Sequence, residues 1–86
     1  MAHHASGRFW AAYRMLPEDV RTRARRQFRL LKRDAKHPSI KLKKIGALWS
    51  VRVTDDFRAL AIEVDDGLLW VWIGPHDEYE RLIKRR

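Results

Sequence analysis

The sequence predicts an α+β fold: an N-terminal helical hairpin packed on a twisted antiparallel β-sheet, a meander, with a short C-terminal helix able to close the chain. Three observations lead there. Apolar residues recur at intervals of three and four up to about residue 35, then at every second position after Gly46. Turn-forming groups (Asp55-Asp56, Asp65-Asp66-Gly67 and Gly74-Pro75) punctuate the second half. The length of 86 residues suits one domain, 1–86, near the lower end of sizes that fold without staples.

The elements follow in order. Residues 1–7 read as a flexible N-terminal tail, in which His3 and His4 belong to a frayed end rather than to a site. Apolar residues at 9, 10, 13 and 16 mark a first helix that stops at Pro17. Pro17 then suits the first turn of a second helix, with Glu18 and Asp19 where the positive end of the helix dipole favours negative charge. From Val20 the apolar positions run 20, 24, 28, 31 and 35, one buried stripe on a helix otherwise covered in arginine and lysine. The hairpin is expected to pack through Trp10, Tyr13, Val20, Ala24, Phe28 and Leu31. The second helix should end near Asp34–Lys36, because His37 precedes Pro38 and that position disfavours helical geometry. Lys36 to Gly46 reads as a basic loop anchored by Ile40, Leu42 and Ile45.

Beyond Gly46 three strands are predicted, at 47–54, 57–64 and 68–74. In the first, Trp49, Val51 and Val53 share one face, and Ser50, Arg52 and Thr54 share the other. Gly67 supplies the left-handed position of the second turn. Leu68-Leu69-Trp70-Val71-Trp72-Ile73 is apolar on both faces, which predicts a central or covered strand. Simple alternation puts Trp70 and Trp72 on the same face, as packing aromatics in preference to base-stacking ones. Asp77 to Lys84 carries acids at its start and bases at its end, as a short helix would.

Composition narrows the function classes. With no cysteine there is no disulfide framework, thiolate metal site or cysteine nucleophile. No apolar run approaches the ~18 residues of a membrane span, and the N-terminus has no signal-peptide core, so the expected location is the cytoplasm without membrane association. Lys and Arg number 19 against 11 Asp and Glu, a net charge of +8. That balance favours phosphate backbones or an acidic protein partner. Arg21, Arg25, Arg29 and Lys32 lie near one flank of the second helix, and Lys41, Lys43 and Lys44 follow in the loop. Together they are the candidate nucleic-acid contacts.

Three local patterns then stand in sequence: Leu16-Pro17 leading into a basic helix that ends in His37-Pro38-Ser39-Ile40; Trp49-Ser50-Val51-Arg52-Val53 followed by Phe57-Arg58-Ala59-Leu60; and Trp72-Ile73-Gly74-Pro75-His76-Asp77-Glu78-Tyr79. In this order and spacing the chain, from Phe9 to Leu82, resembles the RelE/ParE superfamily of small toxins from type II toxin–antitoxin pairs. The resemblance implies a toxin with an acidic antitoxin partner. It also implies one of three activities: an endoribonuclease that cleaves mRNA, on the ribosome or off it, and so inhibits translation; a non-enzymatic inhibitor of DNA gyrase; or an inactive member that only binds an antitoxin. Family members open with an edge strand, for which only Met1–Arg8 is available, so that strand is expected to be short or missing.

Ribonuclease chemistry of this kind uses the RNA's own 2′-hydroxyl as nucleophile and needs no metal or other cofactor. The candidate catalytic residues are Arg52, Arg58, His76 and Tyr79. Arg52 and Arg58 are charges set in otherwise apolar strands, and a guanidinium can grip two phosphate oxygens at once. His76 follows Gly74-Pro75 at the end of the sheet, with an ordinary pKa near 6.5 that suits both proton donation and acceptance. Tyr79, three residues on, could position the phosphate or pack on the sheet.

Overall fold

The computed structural model describes residues 2–84. Its elements are β1 (Ala2–Ala5), α1 (Gly7–Arg14), α2 (Glu18–Arg33), β2 (Lys43–Ile45), β3 (Leu48–Thr54), β4 (Phe57–Val64), β5 (Gly67–Pro75) and α3 (His76–Lys84). The strands form one sheet in the order β1-β5-β4-β3-β2. From β2 to β5 every pairing is antiparallel, the predicted meander, while β1 adds to the outer edge of β5 in parallel. The chain is therefore α+β with a mixed sheet. Among the described residues no helix is long and apolar enough to cross a membrane.

The N-terminal segment corrects the sequence reading. Instead of a frayed tail, Ala2–Ala5 pairs residue for residue with Gly67–Trp70. The edge strand expected to be short or missing is thus present, though only four residues long. Two side chains fasten it. Trp70 Nε1 donates to His3 Nδ1 at 3.1 Å, and His4 Nε2 meets both carboxylate oxygens of Asp66 at 3.0 and 3.1 Å. Burial and the charge of Lys32 hold the His3 pKa below its ordinary value. The unfolded chain therefore takes up a proton on His3 more readily than the folded one. Above about pH 6.5 both states hold it neutral and it contributes no pH dependence. As pH falls through 6.5 toward the lower folded pKa, stability should be lost. His3→Gln keeps an acceptor for Trp70 but cannot titrate. Denaturant unfolding at pH 7 and pH 5 should show a smaller loss on acidification for His3→Gln than for the wild type.

The hairpin starts where Ser6 caps α1, its side chain accepting from the Phe9 backbone N–H at 3.1 Å. That cap sets the phase of the helix. Phe9, Ala12 and Leu16 turn toward the sheet, and Trp10, expected in the core, stands 44% exposed on the outer flank. On α2 the stripe behaves as predicted for Val20, Ala24 and Leu31, which are buried, and for Phe28, which packs partly buried against them. Ala35 leaves the stripe because the helix ends at Arg33, where Asp34 adopts extended backbone and its carboxylate accepts from the Lys36 N–H. Both helices cover one face of the sheet, through a core that includes Val51, Val53, Ala59, Ala61, Leu68 and Ile73. The basic loop also departs from expectation. Gly46, at φ 59°, turns Lys43–Ile45 back as an edge strand on β3.

A bulge in β5 overturns the placement of the two tryptophans. Leu60 faces Trp72, but the next residue, Ala61, faces Trp70, so Val71 is the extra residue in the ladder. Trp70 therefore enters the core beneath the hairpin, and Trp72 turns to the opposite face. There its ring lies where a Cβ on Gly74 would stand, 2.5 Å from the nearest ring atom, which leaves room only for glycine.

Candidate functional site

The face of the sheet away from the hairpin is only partly covered, by α3. Alternation and the strand register bring Ser50 and Arg52 of β3, Arg58 and Leu60 of β4, and Trp72 and Gly74 of β5 onto it. Arg52 and Arg58 are direct cross-strand partners. Like charges in that relation destabilise a sheet, so something has to hold them. Arg52 Nη2 contacts the Asp55 carboxylate in the adjoining turn, and that carboxylate is itself largely exposed. Arg58 uses Nη1 on three backbone carbonyls of the same turn, Thr54 at 2.7 Å, Phe57 at 3.0 Å and Asp55 at 3.2 Å. Burial and the nearby Arg52 push the Arg58 pKa down from its ordinary value, against Tyr79, Asp56 and Glu80, which raise it. The guanidinium remains a cation, and its Nε and Nη2 hydrogens lie outside those carbonyl contacts.

The same turn positions His76. Its backbone N–H donates to Asp56 O at 2.8 Å, fixing the start of α3 against the β3–β4 turn that Arg58 caps. All four carbonyls from Thr54 to Phe57 are thereby engaged, by Arg58 or by α3. The His76 ring is about half exposed, with Nε2 3.4 Å from Glu80 one helical turn on.

Tyr79 is set differently from the other three candidates. It is 3% exposed, and its hydroxyl accepts from Ser50 Oγ at 3.1 Å beneath α3. Its ring stands 5.6 Å from that of His76, tilted by 44°. Tyr79 thus docks α3 on the sheet and supports His76 from below; it does not reach out to a ligand. Arg52, Arg58 and His76 share one accessible face, with Tyr79 as the floor.

The seven candidate nucleic-acid contacts do not form one surface. Arg25, Arg29 and Lys32 converge on a groove between α1, α2 and β1. Arg21 donates to Leu16 O at 2.6 Å and closes the corner between the helices. Lys43 and Lys44 sit on the far edge strand β2, where Lys44 pairs with Glu63 at 3.1 Å and lies over the Trp49 ring. Lys41 holds a left-handed backbone, φ 49°, just ahead of that strand. Sequence reasoning missed Ser50, Glu80 and Gln27, whose amide donates to both Ser39 O and Arg52 O and so ties α2 to the base of the arginine pair. Glu80 had a legible signal, its i+4 spacing from His76 on an acidic-to-basic helix.

Residues 18–81 match the family model of the ParE-like toxin domain. The chain belongs to the ParE-like toxin family. That match spans α2, the sheet from β2 onward and most of α3, so it includes the arginine pair, His76 and Tyr79. Solved structures of similar fold agree with the architecture. A chain of the RelB–RelE antitoxin–toxin complex from Methanococcus jannaschii superposes with a TM-score of 0.72 at 11% identity, covering 92% of this chain and 96% of that one. The isolated Escherichia coli RelE toxin gives 0.61 at 15% identity, over 96% of this chain and 95% of that one. A copper-bound point-mutant toxin from Helicobacter pylori gives 0.60 at 15% identity, over 91% and 97%. At such identities the likeness speaks to the fold alone. No curated protein sequence matches this ParE-like chain significantly. Among its described residues no group of three or more His, Asp or Glu side chains is placed to hold a metal ion.

Proposed function

We propose that this chain is the toxin of a toxin–antitoxin pair, partnered by an acidic antitoxin, and that it cleaves mRNA through the face carrying Arg52, Arg58 and His76. The observation that supports this most is the cross-strand arginine pair. Two guanidiniums are held side by side on an open sheet face by a turn that engages one Nη of each and leaves their other donors for an anion. A phosphodiester bridging them would relieve their mutual repulsion. Arg52 and Arg58 then stabilise the negative charge that builds on the phosphoryl oxygens as the substrate's 2′-oxygen attacks phosphorus. The 2′-hydroxyl proton leaves to a base, the bond from phosphorus to the 5′-oxygen breaks, and that oxygen takes a proton. The products are a 2′,3′-cyclic phosphate and a 5′-hydroxyl. His76 is the group on this face able to exchange one of these protons, with Glu80 3.4 Å from its Nε2. Tyr79 holds α3 and hence His76 in place.

The proton-transfer role has its own test. If His76 transfers a proton, message cleavage by the wild-type protein in a translation extract should vary with pH. His76→Gln should slow cleavage and flatten that profile. A variant profile that keeps the wild-type shape would remove His76 from the proton transfers.

A second reading, non-enzymatic inhibition of DNA gyrase, is favoured by the ParE-like family match itself and by the burial of Tyr79, which withdraws one candidate group from the reacting phosphate.

A further inference from the structure

Gly74 is the direct cross-strand partner of Arg58, and Arg58 of Arg52, so the three positions form one row across the open face of the sheet. Gly74 has no side chain to place in that row. The indole of Trp72, two residues earlier on the same strand, lies there instead: a Cβ at position 74 would stand 2.5 Å from its Cζ2 and 3.1 Å from its Cε2. Cε2 is the ring carbon that bears Nε1, so the edge of the indole carrying the N–H is the part that fills the place. Side-chain positions of direct partners are about 5 Å apart, which sets this edge beside the stem of Arg58. The Ser50–Tyr79 hydrogen bond that docks α3 belongs to the neighbouring row, Ser50–Leu60–Trp72.

The same N–H has no acceptor. Trp49 donates to Glu63 at 2.9 Å and Trp70 to His3 at 3.1 Å, but among the described residues none accepts from Trp72. No side-chain nitrogen or oxygen of the described residues is both buried and unpaired. The Trp72 Nε1 is therefore within reach of solvent, although the residue is half-buried. The row thus presents an indole N–H and two guanidiniums, groups that donate hydrogen bonds and accept none.

We propose that Trp72 is a third donor of the site, its Nε1–H hydrogen-bonding a free oxygen of the phosphodiester that Arg58 holds. The inference rests on the ribonuclease reading for its substrate, RNA, and adds to it the group that fixes the phosphate on the β5 side of the arginine pair. The two free oxygens of a phosphodiester accept hydrogen bonds and have no hydrogen to give, which matches a row made of donors alone. A base edge mixes donors with acceptors and would leave its own N–H groups unanswered there. Gly74 then serves binding as well as packing, because any side chain at that position moves the indole N–H out of the row.

The indole N–H can be observed directly. In a nitrogen–proton correlation NMR spectrum of the full chain the four tryptophans give separate indole resonances, and the one missing from Trp72→Phe belongs to Trp72. The probe is a 2′-O-methyl RNA dinucleotide, which carries one phosphodiester and cannot be cut through its own hydroxyl, so binding is read apart from cleavage. On titration the Trp72 indole proton should move downfield and saturate, while those of Trp49 and Trp70, already bonded, stay in place. Trp72→Phe keeps a ring in the row without the N–H and should bind the dinucleotide about tenfold more weakly, the usual loss for one hydrogen bond to a charged group. Gly74→Ala keeps Trp72 but displaces its ring, and should weaken binding to a similar degree with a circular dichroism spectrum like that of the wild type. Saturable binding that leaves the Trp72 resonance unmoved, and is equally tight in Trp72→Phe, would overturn the donor role and leave the arginine pair and the cleavage reading standing. No saturable binding by the wild type would overturn both. An acidic peptide that moved the Trp72 resonance where the dinucleotide did not would also overturn the proposal and assign the row to a carboxylate.

Discussion

Replacing Arg58 with alanine is expected to lower RNA cleavage on the order of a hundredfold, the usual consequence of removing one preorganised electrostatic stabiliser. The guanidinium lies in the strand pair that would embrace the phosphate, and its Nη1 donates to three carbonyls of the β3–β4 turn. Those contacts also give Arg58 a part in stability. Losing them should cost about 1 kcal/mol, because the turn is partly hydrated and water can replace the donors. The variant also relieves the repulsion from Arg52, which offsets part of that loss. Arg58→Lys should recover only some of the activity, since an ammonium is a point charge and cannot present two parallel N–H groups to the phosphate. The two roles separate when cleavage rate and thermal midpoint are measured on the same preparations. A large drop in midpoint with cleavage intact would assign Arg58 to the turn alone.

Trp70→Ala is expected to have the largest effect on stability, a loss of about 3–5 kcal/mol. That is a large part of the ~5–15 kcal/mol that holds an ordinary domain folded. Trp70 is fully enclosed, meets Phe28 of α2 edge-on, and donates its indole N–H to His3 of β1, so one ring joins the hairpin, β5 and the edge strand. Trp72, half-buried on the other face, should be less costly to truncate. Urea unfolding of the two alanine variants gives the comparison. If they lost similar stability, the bulge at Val71 would not be separating the two rings as described.

The parts of this fold that were legible in the sequence are those with a period. The α2 stripe at Val20, Ala24 and Leu31, the alternation of Trp49, Val51 and Val53, and the acidic-to-basic gradient of α3 each bury or expose what their spacing requires. What was hidden had too few residues or no contrast. Ala2–Ala5 and Lys43–Ile45 are too short to display alternation, and they form strands because β5 and β3 offer open edges beside them. The run from Leu68 to Ile73 is apolar throughout, so a bulge within it leaves no trace in hydropathy and reverses the parity of Trp72 unseen. Phe9 and Trp10 are adjacent large aromatics. Phe9 faces inward, its N–H bonded to the Ser6 cap, and Trp10 outward.

The candidate site divides in the same manner. Arg52 and Arg58 were visible as charges inside apolar strands, while their cross-strand pairing follows from the β3–β4 register. The Ser50–Tyr79 hydrogen bond joins residues 29 positions apart and depends on how α3 folds back over the sheet, which no local pattern encodes. That one contact turns Tyr79 from a candidate for direct chemistry into a support for His76. The basic residues were read as one stripe because a helical flank and a loop were considered without the sheet between them. The fold sends Arg25, Arg29 and Lys32 to one side and Lys43 and Lys44 to a distant edge.

Cleavage of RNA by the face bearing Arg52, Arg58 and His76 is tested most directly by adding the purified wild-type chain to an in vitro translation reaction. Primer extension then maps the message, and mass spectrometry identifies the new ends. Discrete cuts are expected, leaving 2′,3′-cyclic phosphate and 5′-hydroxyl termini and disappearing with Arg58→Ala. An intact message under wild-type protein, together with inhibition of supercoiling by DNA gyrase at the same concentration, would contradict the ribonuclease assignment.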